Sequence, residues 1–173
     1  MIQYQVDLDK ALEVLMYVAR HESDMYRLLK YLYLADRLSL SRNARLLYGE
    51  RYSRLPKGPV ADYAYNMIRH ANPHPALAPH HPMPPAFIEK LNASISVEGN
   101  TITVRREPDL RYLSRADCGV LDEIITEFGR VRNLPRFVHD SAWESVPDKA
   151  EIPLENIIEG LDNSAEVKEY IYG

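Results

Sequence analysis

The chain has 173 residues, a formal net charge of −4 and a single cysteine. A chain of this length can bury about 70% of its unfolded surface in one core, so residues 1–173 are expected to form a single domain. One cysteine excludes an internal disulfide, and no apolar run reaches the roughly 20 residues that a membrane helix needs. The N-terminus has no basic start before an apolar core, which argues against a signal peptide and predicts a cytoplasmic protein.

Helices dominate the first half of the chain. Apolar spacing predicts a helix over about residues 9–21 and a longer tyrosine-rich helix after a cap at residues 23–24. Residues 47–55 alternate weakly between polar and apolar and suggest an extended segment. Gly58 permits a sharp turn and Pro59 fits a first helical turn, so this pair predicts the start of a third helix that packs on the tyrosine-rich one.

The middle of the chain contains a predicted loop and a predicted hairpin. Six prolines fall between Pro73 and Pro85, so the Pro/His-rich stretch 72–85 is expected to be a loop. Residues 94–105 hold two short β-branched runs on either side of Glu-Gly-Asn-Thr, a pattern that predicts a β-hairpin. Two strands alone are marginally stable, so this appendage should pack on helices.

The second half of the chain is again predicted to be mainly helical. Ser114 opens a near capping-box arrangement, and Gly129 marks the end of the helix that follows. Pro135 predicts the start of another helix, on which His139 and Trp143 would be one turn apart and face the same side. The predicted fold is therefore mainly α, a compact multi-helix domain with a small β-hairpin appendage.

Asp36 is the most unusual polar residue of the tyrosine-rich helix. It lies next to an apolar face, so its carboxylate needs a hydrogen-bonding partner. Tyr33 is three residues earlier on the same helix, and Arg37 or a distant backbone N–H group could complete the pairing. Two interpretations stay open: a pair that contacts a ligand, and a structural tie between the helix and residues 49–52.

Two blocks of residues have a distinctive order and spacing. The first block comprises Leu32, Tyr33, Leu34, Ala35, Asp36, Gly49, Tyr52, Gly58, Pro59 and Tyr65. The second comprises Leu113, Ser114, Gly129, Val138, His139, Ala142, Trp143, Ile152 and Pro153. Together they resemble the Panacea family, the SocA-like antitoxins of bacterial and phage toxin–antitoxin systems, over most of residues 5–158. The stretch 72–85 and the chain after residue 158 lie outside this pattern.

The resemblance implies an antitoxin-like protein that neutralises a cognate toxin by direct protein–protein binding. The resemblance also allows a proteolytic adaptor role, since at least one member type presents its toxin to a bacterial protease, which would be a second partner. The expected family-motif or partner-binding residues are Tyr33, Asp36, Arg37, Gly49, Tyr52, Gly58, Pro59, Tyr65, His139 and Trp143. Tyrosine combines a large contact area with a polar end, so an exposed subset of the twelve tyrosines beside Arg27, Lys30 and Arg37 would form a docking face.

Charge is distributed unevenly along the chain. Residues 20–57 hold nine Lys or Arg against four Asp or Glu, whereas residues 140–173 hold two against nine. The alternative function is therefore a nucleic-acid-binding regulatory protein of a phage or mobile element that uses the basic region. The chain lacks a zinc-finger spacing, an RNA-binding sheet motif and a convincing helix-turn-helix, so nucleic acid is not the expected partner. The acidic tail at residues 160–173 could fold back on the basic surface or complement a basic toxin.

No sequence motif points to an enzyme. The chain has neither a Gly-x-Ser-x-Gly elbow nor a phosphate-binding glycine loop. Cys118 lies within a helical pattern that is typical of a small packed side chain. An enzyme would have to gather Asp36, Tyr52 and His139 in one pocket, and we expect no catalytic activity.

The histidines are the remaining candidates for metal binding. His70, His74, His80 and His81 are close in sequence, but they sit among prolines without a nearby cysteine. Zinc sites usually fix their ligands with short loops or helical spacing and add Cys or carboxylate ligands. We therefore expect neither a metal nor a cofactor.

Overall fold

The computed structural model of the protein describes residues 5–74 and 81–173. Helices α1 (Leu8–Ala19) and α2 (Met25–Asn43) lie at the centre of the core. Every residue of α1 from Ala11 to Ala19 is buried, which is typical of a helix that is packed on all sides. Asp24 caps α2 as predicted, because its carboxylate accepts a hydrogen bond from the backbone N–H of Arg27.

The first small sheet contains strands β1 (Tyr52–Leu55), β2 (Gly58–Ala61) and β5 (Glu151–Ile152) in the antiparallel order β2-β1-β5. The prediction that Gly58 and Pro59 begin a helix was wrong, because these residues open β2, and helix α3 (Asp62–Ala71) follows that strand. Gly58 still supplies a sharp turn, with a φ of +126°. Pro59 is tolerated because β2 is an edge strand, where a missing N–H need not remove a ladder hydrogen bond. Helix α3 packs on α1 and, as predicted, on α2.

The second sheet is the predicted hairpin. It consists of β3 (Ile95–Glu98) and β4 (Thr101–Val104), and it follows helix α4 (Pro85–Ser94) directly. Ile102 donates its backbone N–H to the carbonyl of Ser23, and Met25 at the start of α2 donates to the carbonyl of Asn100. These bonds hold the hairpin against α2, which agrees with the expectation that two strands need helices for support.

The second half of the chain begins with a 3-10 turn (Leu110–Tyr112) and the long helix α5 (Arg115–Phe128). The capping box is confirmed, because Ser114 and Asp117 exchange hydrogen bonds between side chain and backbone. The prediction of one helix that carries His139 and Trp143 was wrong, because two short helices, α6 (Pro135–Val138) and α7 (Ser141–Glu144), replace it. Asp140 separates them, since its backbone is extended and its carboxylate caps α7 by accepting the N–H of Trp143 at 3.0 Å.

The chain ends with helices α8 (Leu154–Glu159) and α9 (Ser164–Tyr172). The acidic tail at residues 160–173 therefore contains a helix, and the buried side chains of Leu161 and Val167 anchor it to the core. Asn163 exchanges hydrogen bonds with Ser41 near the end of α2. The tail thus packs on the basic helix through uncharged groups. No helix within the described ranges has the length and apolarity needed to cross a bilayer.

Candidate functional site

Asp36 lies in the interior, where it joins α2 to the loop and strand that follow. Its exposed fraction is 2%. One carboxylate oxygen accepts the backbone N–H of Leu47 at 2.8 Å, and the other accepts the hydroxyl of Tyr52 at 2.6 Å. The Tyr52 hydroxyl also lies 3.1 Å from the carbonyl oxygen of Leu32. Asp36 therefore ties the helix to β1, which is the structural interpretation of this residue.

Tyr33 and Arg37 bind a different carboxylate, that of Asp140. The Tyr33 hydroxyl donates to Asp140 at 2.7 Å, and the Arg37 guanidinium lies 3.2 Å from the same oxygen. The expected pairing of either residue with Asp36 was wrong, because the loop between α6 and α7 brings Asp140 to this face of α2. The Tyr33 ring meets the Tyr52 ring edge-on, with centroids 5.1 Å apart, so the two carboxylate networks are adjacent.

Glu50 is a structural residue that the sequence did not single out. Its buried carboxylate accepts the hydroxyl of Tyr48 and the backbone N–H groups of Arg51, Tyr63 and Ala64. Since Tyr63 and Ala64 belong to the first turn of α3, Glu50 caps this helix from outside. The neighbouring Gly49 has a φ of +85°, and a Cβ there would lie 2.6 Å from the carbonyl oxygen of Gln5. No local spacing rule links Glu50 to α3, so the sequence carries no signal for this cap.

Gly58 and Pro59 form the contact point between β2, α2 and α6. A Cβ on Gly58 would lie 2.6 Å from Cγ2 of Val138 and 3.3 Å from Cε of Lys30, so glycine permits this close approach. Lys30 is 5% exposed, and its ammonium donates to the carbonyl of Pro59 at 3.1 Å. Burial, together with the nearby charge of Lys57, lowers the pKa of Lys30 to about 8.

His139 and Trp143 stack although they lie outside a common helix. Their ring centroids are 4.0 Å apart, with an interplanar angle of 13°. The indole N–H donates to the carbonyl of Leu55 at 2.9 Å, and the guanidinium of Arg54 lies 4.0 Å from the indole ring centre. Nε2 of His139 is buried and finds no hydrogen-bond partner in the described part of the chain. Trp143 therefore fastens α7 to the end of β1.

Most tyrosines near the first three helices are core residues. Tyr17, Tyr31, Tyr33, Tyr48 and Tyr52 are buried, and Tyr63 and Tyr65 are half-buried. The motif residue Tyr65 lies on α3, with the guanidinium of Arg69 5.2 Å from its ring centre. Of the predicted docking face, Tyr26 is exposed, both Arg27 and Arg37 are held in ion pairs, and Lys30 is largely buried beside Pro59 without a carboxylate partner among the described residues.

The buried carboxylates have raised pKa values, and neither of two surface cavities formed by the described residues is lined by them. Desolvation by burial raises the pKa of Asp36 to about 6 and that of Glu50 to about 7, although their hydrogen bonds favour the charged forms. One surface cavity lies between the N-terminal segment and α4, and another lies between the ends of α2 and α9. Neither is lined by Asp36, Tyr52 or His139, so neither provides the pocket that an enzyme would need at these residues.

Six of the nine basic residues between positions 20 and 57 are held in ion pairs. They are Arg20, Arg27, Arg37, Arg42, Arg45 and Arg51. The other three, Lys30, Arg54 and Lys57, have no carboxylate within ion-pair distance among the described residues. Much of the positive charge counted in the sequence is therefore neutralised within the fold, which weakens the case for a phosphate-binding stripe.

Two of the clustered histidines, His70 and His81, contact each other, and His81 also contacts Asn66. Nε2 of His70 lies 2.6 Å from the carbonyl oxygen of His81, and the side chain of Asn66 bonds to the backbone of His81. Within the described ranges, no group of three or more His, Cys, Asp or Glu side chains is placed to hold a metal ion. The candidate His80, and residues 75–80 of the predicted loop in general, lie outside the described residues.

Fold and site together define a helical domain whose motif residues chiefly bond its own elements to one another. A family model described as antitoxin SocA-like, Panacea domain, matches residues 28–144. The chain therefore belongs to the SocA-like antitoxin family that carries the Panacea domain, and the resemblance is confirmed. No curated protein and no solved structure matches the chain. Family membership supports an antitoxin role in general, and it suggests a toxin partner and a regulatory rather than a catalytic role.

Proposed function

We propose that this protein neutralises a partner toxin by direct protein–protein binding, without a catalytic step. The observation that carries the proposal is the match of residues 28–144 to the SocA-like antitoxin domain. The motif contacts support it, because Tyr33, Asp36 and Tyr52 are almost completely buried and bonded within the fold. Such buried residues can stabilise the conformation of a binding surface. A catalytic acid or base, in contrast, must come within hydrogen-bonding reach of its substrate.

The test is a growth assay with the reading frame adjacent to the gene for this protein. We expect the neighbouring product to arrest the growth of a bacterial host, and co-expression of this protein to restore growth. The two proteins should then co-purify as a stable complex. Leu12→Asp, which places a charge at a fully buried position, serves as the unfolded control that should not rescue. A toxic neighbour that is neither neutralised nor bound would refute the proposal.

We further propose that delivery of the bound toxin to a bacterial protease is a second route to the same outcome. The family resemblance supports this route, and the same toxin-binding surface would serve both. Pulse-chase labelling of the toxin, in hosts with and without the main cytoplasmic proteases, separates the two routes. Faster toxin loss and protease-dependent rescue are expected for an adaptor. A toxin that persists in the complex while growth is restored would restrict the mechanism to binding.

A further inference from the structure

Two segments without any acidic residue meet on one face of the molecule. Residues 51–61 include Arg54 and Lys57, and residues 129–139 include Arg136. The segments meet because Val138 packs against Gly58 and because α6 contacts both α2 and β2. The name cationic face is used below for the surface formed by Tyr26, Lys30, Arg54, Lys57, Arg136 and Phe137.

Lys30 is the innermost cation of the cationic face. Its ammonium has three N–H donors, but the described residues supply one hydrogen bond, to the carbonyl of Pro59, and no carboxylate. A buried ammonium without a counter-ion is unfavourable, because nothing offsets the loss of its hydration. A carboxylate supplied by another molecule would offset that cost.

The outer cations of the face also lack carboxylate partners in the described part of the chain. Nζ of Lys57 lies 5.1 Å from the ring centre of Tyr26. Arg54 lies over Trp143 and donates a hydrogen bond to the backbone carbonyl of Val146, just after α7. Arg136 is exposed on α6 and takes part in none of the ion pairs that the described residues form. The cationic face therefore carries positive charge that the fold itself does not neutralise.

Two exposed aromatic side chains adjoin these cations, because Tyr26 lies beside Lys57 and Phe137 follows Arg136 directly in the chain. Tyr26 is 43% exposed and Phe137 is 42% exposed. Phe137 meets the ring of the buried Phe128 edge-on, with centroids 5.2 Å apart, so the core holds it in place. Tyrosine, phenylalanine and arginine are enriched at protein–protein interfaces, where rigid aromatic rings supply contact area at low entropic cost.

We propose that the cationic face binds a protein partner that presents Asp or Glu beside an apolar side chain. This inference rests on the proposed function, under which the partner is the toxin. A carboxylate of the toxin pairs with Lys30 and Lys57, and the adjacent apolar side chain covers Tyr26 and Phe137. The outer arginines, Arg54 and Arg136, then steer the acidic surface into place.

A protein fits this face better than nucleic acid does. Helix α2, which supplies Tyr26 and Lys30, is buried at 12 of its 19 residues and cannot enter a DNA groove. Helix α6 is only four residues long. The chain as a whole has a net charge of −4, which opposes the approach of a polyanion at long range.

The test measures the affinity of charge-reversed variants for the product of the adjacent reading frame by isothermal titration calorimetry. The double variant Lys57→Glu with Arg136→Glu alters two exposed side chains, and its unfolding temperature should equal or exceed that of the wild type, because the repulsion between Lys57 and Lys30 is removed. We expect its dissociation constant to rise at least about tenfold, because two favourable charge pairs become repulsive. Arg115→Glu, at the opposite end of α5 from Phe128, is the matched control and should bind within about twofold of wild type.

Lys30→Met separates binding from folding. Methionine keeps most of the side-chain volume and removes a buried charge that lacks a counter-ion, so the unfolding temperature should be unchanged or higher. Binding to the same probe should nevertheless weaken at least about tenfold, because the partner carboxylate loses its buried cation. A Lys30→Met variant that is stable and binds as tightly as wild type would refute this pairing.

Three results would overturn the inference. Wild-type protein that fails to bind the probe would refute the proposed function and the cationic face with it. Wild-type binding that neither set of substitutions weakens would refute the cationic face alone. Binding of labelled duplex DNA or single-stranded RNA that the double reversal abolishes would assign the face to nucleic acid.

Discussion

Asp36, Glu50 and Asp140 each join parts of the chain that lie apart in sequence. Asp36 ties α2 to the following loop and β1, Glu50 caps α3, and Asp140 bonds to α2 while capping α7. A hydrogen bond to a charged group contributes about 1.5–3 kcal/mol, and a buried donor left without its acceptor costs about 1–3 kcal/mol. These three carboxylates therefore hold together the elements that surround the cationic face.

Asp36→Asn should be tolerated far better than Asp36→Ala. The amide oxygen can still accept the N–H of Leu47, and the amide NH2 can donate to the Tyr52 hydroxyl, which then donates to the nearby Leu32 carbonyl. We expect the unfolding free energy to fall by about 1 kcal/mol for Asn and by about 3 kcal/mol for Ala, measured by urea denaturation. Equal losses in the two variants would contradict this bonding scheme.

Stability should increase as the pH falls from neutrality toward about 5. Burial gives Asp36 and Glu50 folded-state pKa values of about 6 and about 7, above their usual values of 3.8 and 4.5. The folded protein therefore binds more protons than the unfolded chain in this window, so acidification favours folding. Lys30, with a pKa of about 8, is largely protonated in both states below neutral pH, so it contributes only a small opposing slope near neutrality.

Urea midpoints across this pH window test the linkage, and Glu50→Gln is the matched variant. The variant cannot titrate at position 50, so its midpoint should depend less on pH than that of the wild type. A wild-type midpoint that falls steadily between neutral pH and about pH 5 would show that the buried carboxyls are not the groups that govern stability there.

At the scale of elements, signals confined to neighbouring residues predicted the structure well. The cap at Asp24, the capping box at Ser114 and the hairpin within residues 94–105 each depend on residues a few positions apart. Their bonds form within the segment itself, so the segment's own sequence is sufficient to indicate them.

Features that need a distant partner could not be predicted in this way. Gly58 and Pro59 open a strand because β1 is available to pair with them, and the local pattern does not include that strand. Tyr33 finds its acceptor in Asp140, which lies in a loop far along the chain. Lys30 resembles an ordinary helix-surface cation in the sequence, and its burial follows from the close approach that Gly58 allows.

Gly58→Ala should destabilise the domain by about 2–4 kcal/mol. The residue has a φ of +126°, which an alanine rarely adopts, and its new Cβ would lie 2.6 Å from Cγ2 of Val138. The energetic costs of the backbone strain and of the steric overlap therefore add. Gly119→Ala is the matched control, because Gly119 lies within α5 and has open space around its Cβ position. That control should gain about 0.5–1 kcal/mol of stability. Thermal unfolding of both variants checks the contrast, and a neutral Gly58→Ala would contradict the packing described for β2.

On the scale of the whole molecule, opposite charges lie near opposite ends of α2. Tyr26, on the cationic face, is near its start, and Ser41, which bonds to Asn163 before α9, is near its end. These positions are about 22 Å apart along the helix axis. An acidic toxin surface would therefore be attracted by the cationic face and repelled by the acidic tail. Both effects orient the toxin so that its acidic surface faces the cationic face.

Charge removal on the tail discriminates between an acidic and a basic toxin surface. Glu166→Gln with Glu169→Gln alters two exposed side chains and avoids truncation, which would also remove the buried Val167. If the toxin surface is acidic, the double variant should associate with the toxin about twofold faster than the wild type at low salt, as measured by stopped-flow. At high salt the two association rates should converge. A slower rate would show that the tail attracts a basic toxin and that the cationic face is not the docking surface.

Neutralisation by contact and neutralisation by catalysis differ in stoichiometry. The most direct measurement titrates a fixed amount of toxin with this protein and follows the toxin's own effect in a cell extract. The toxin concentration is kept above the dissociation constant of the complex, so that added protein binds almost completely. Direct binding predicts that the effect disappears at a fixed ratio near equimolar and that mass spectrometry recovers the toxin with an unchanged mass. Complete neutralisation by a small fraction of an equivalent, with a covalently altered toxin, would contradict direct binding and establish an enzyme.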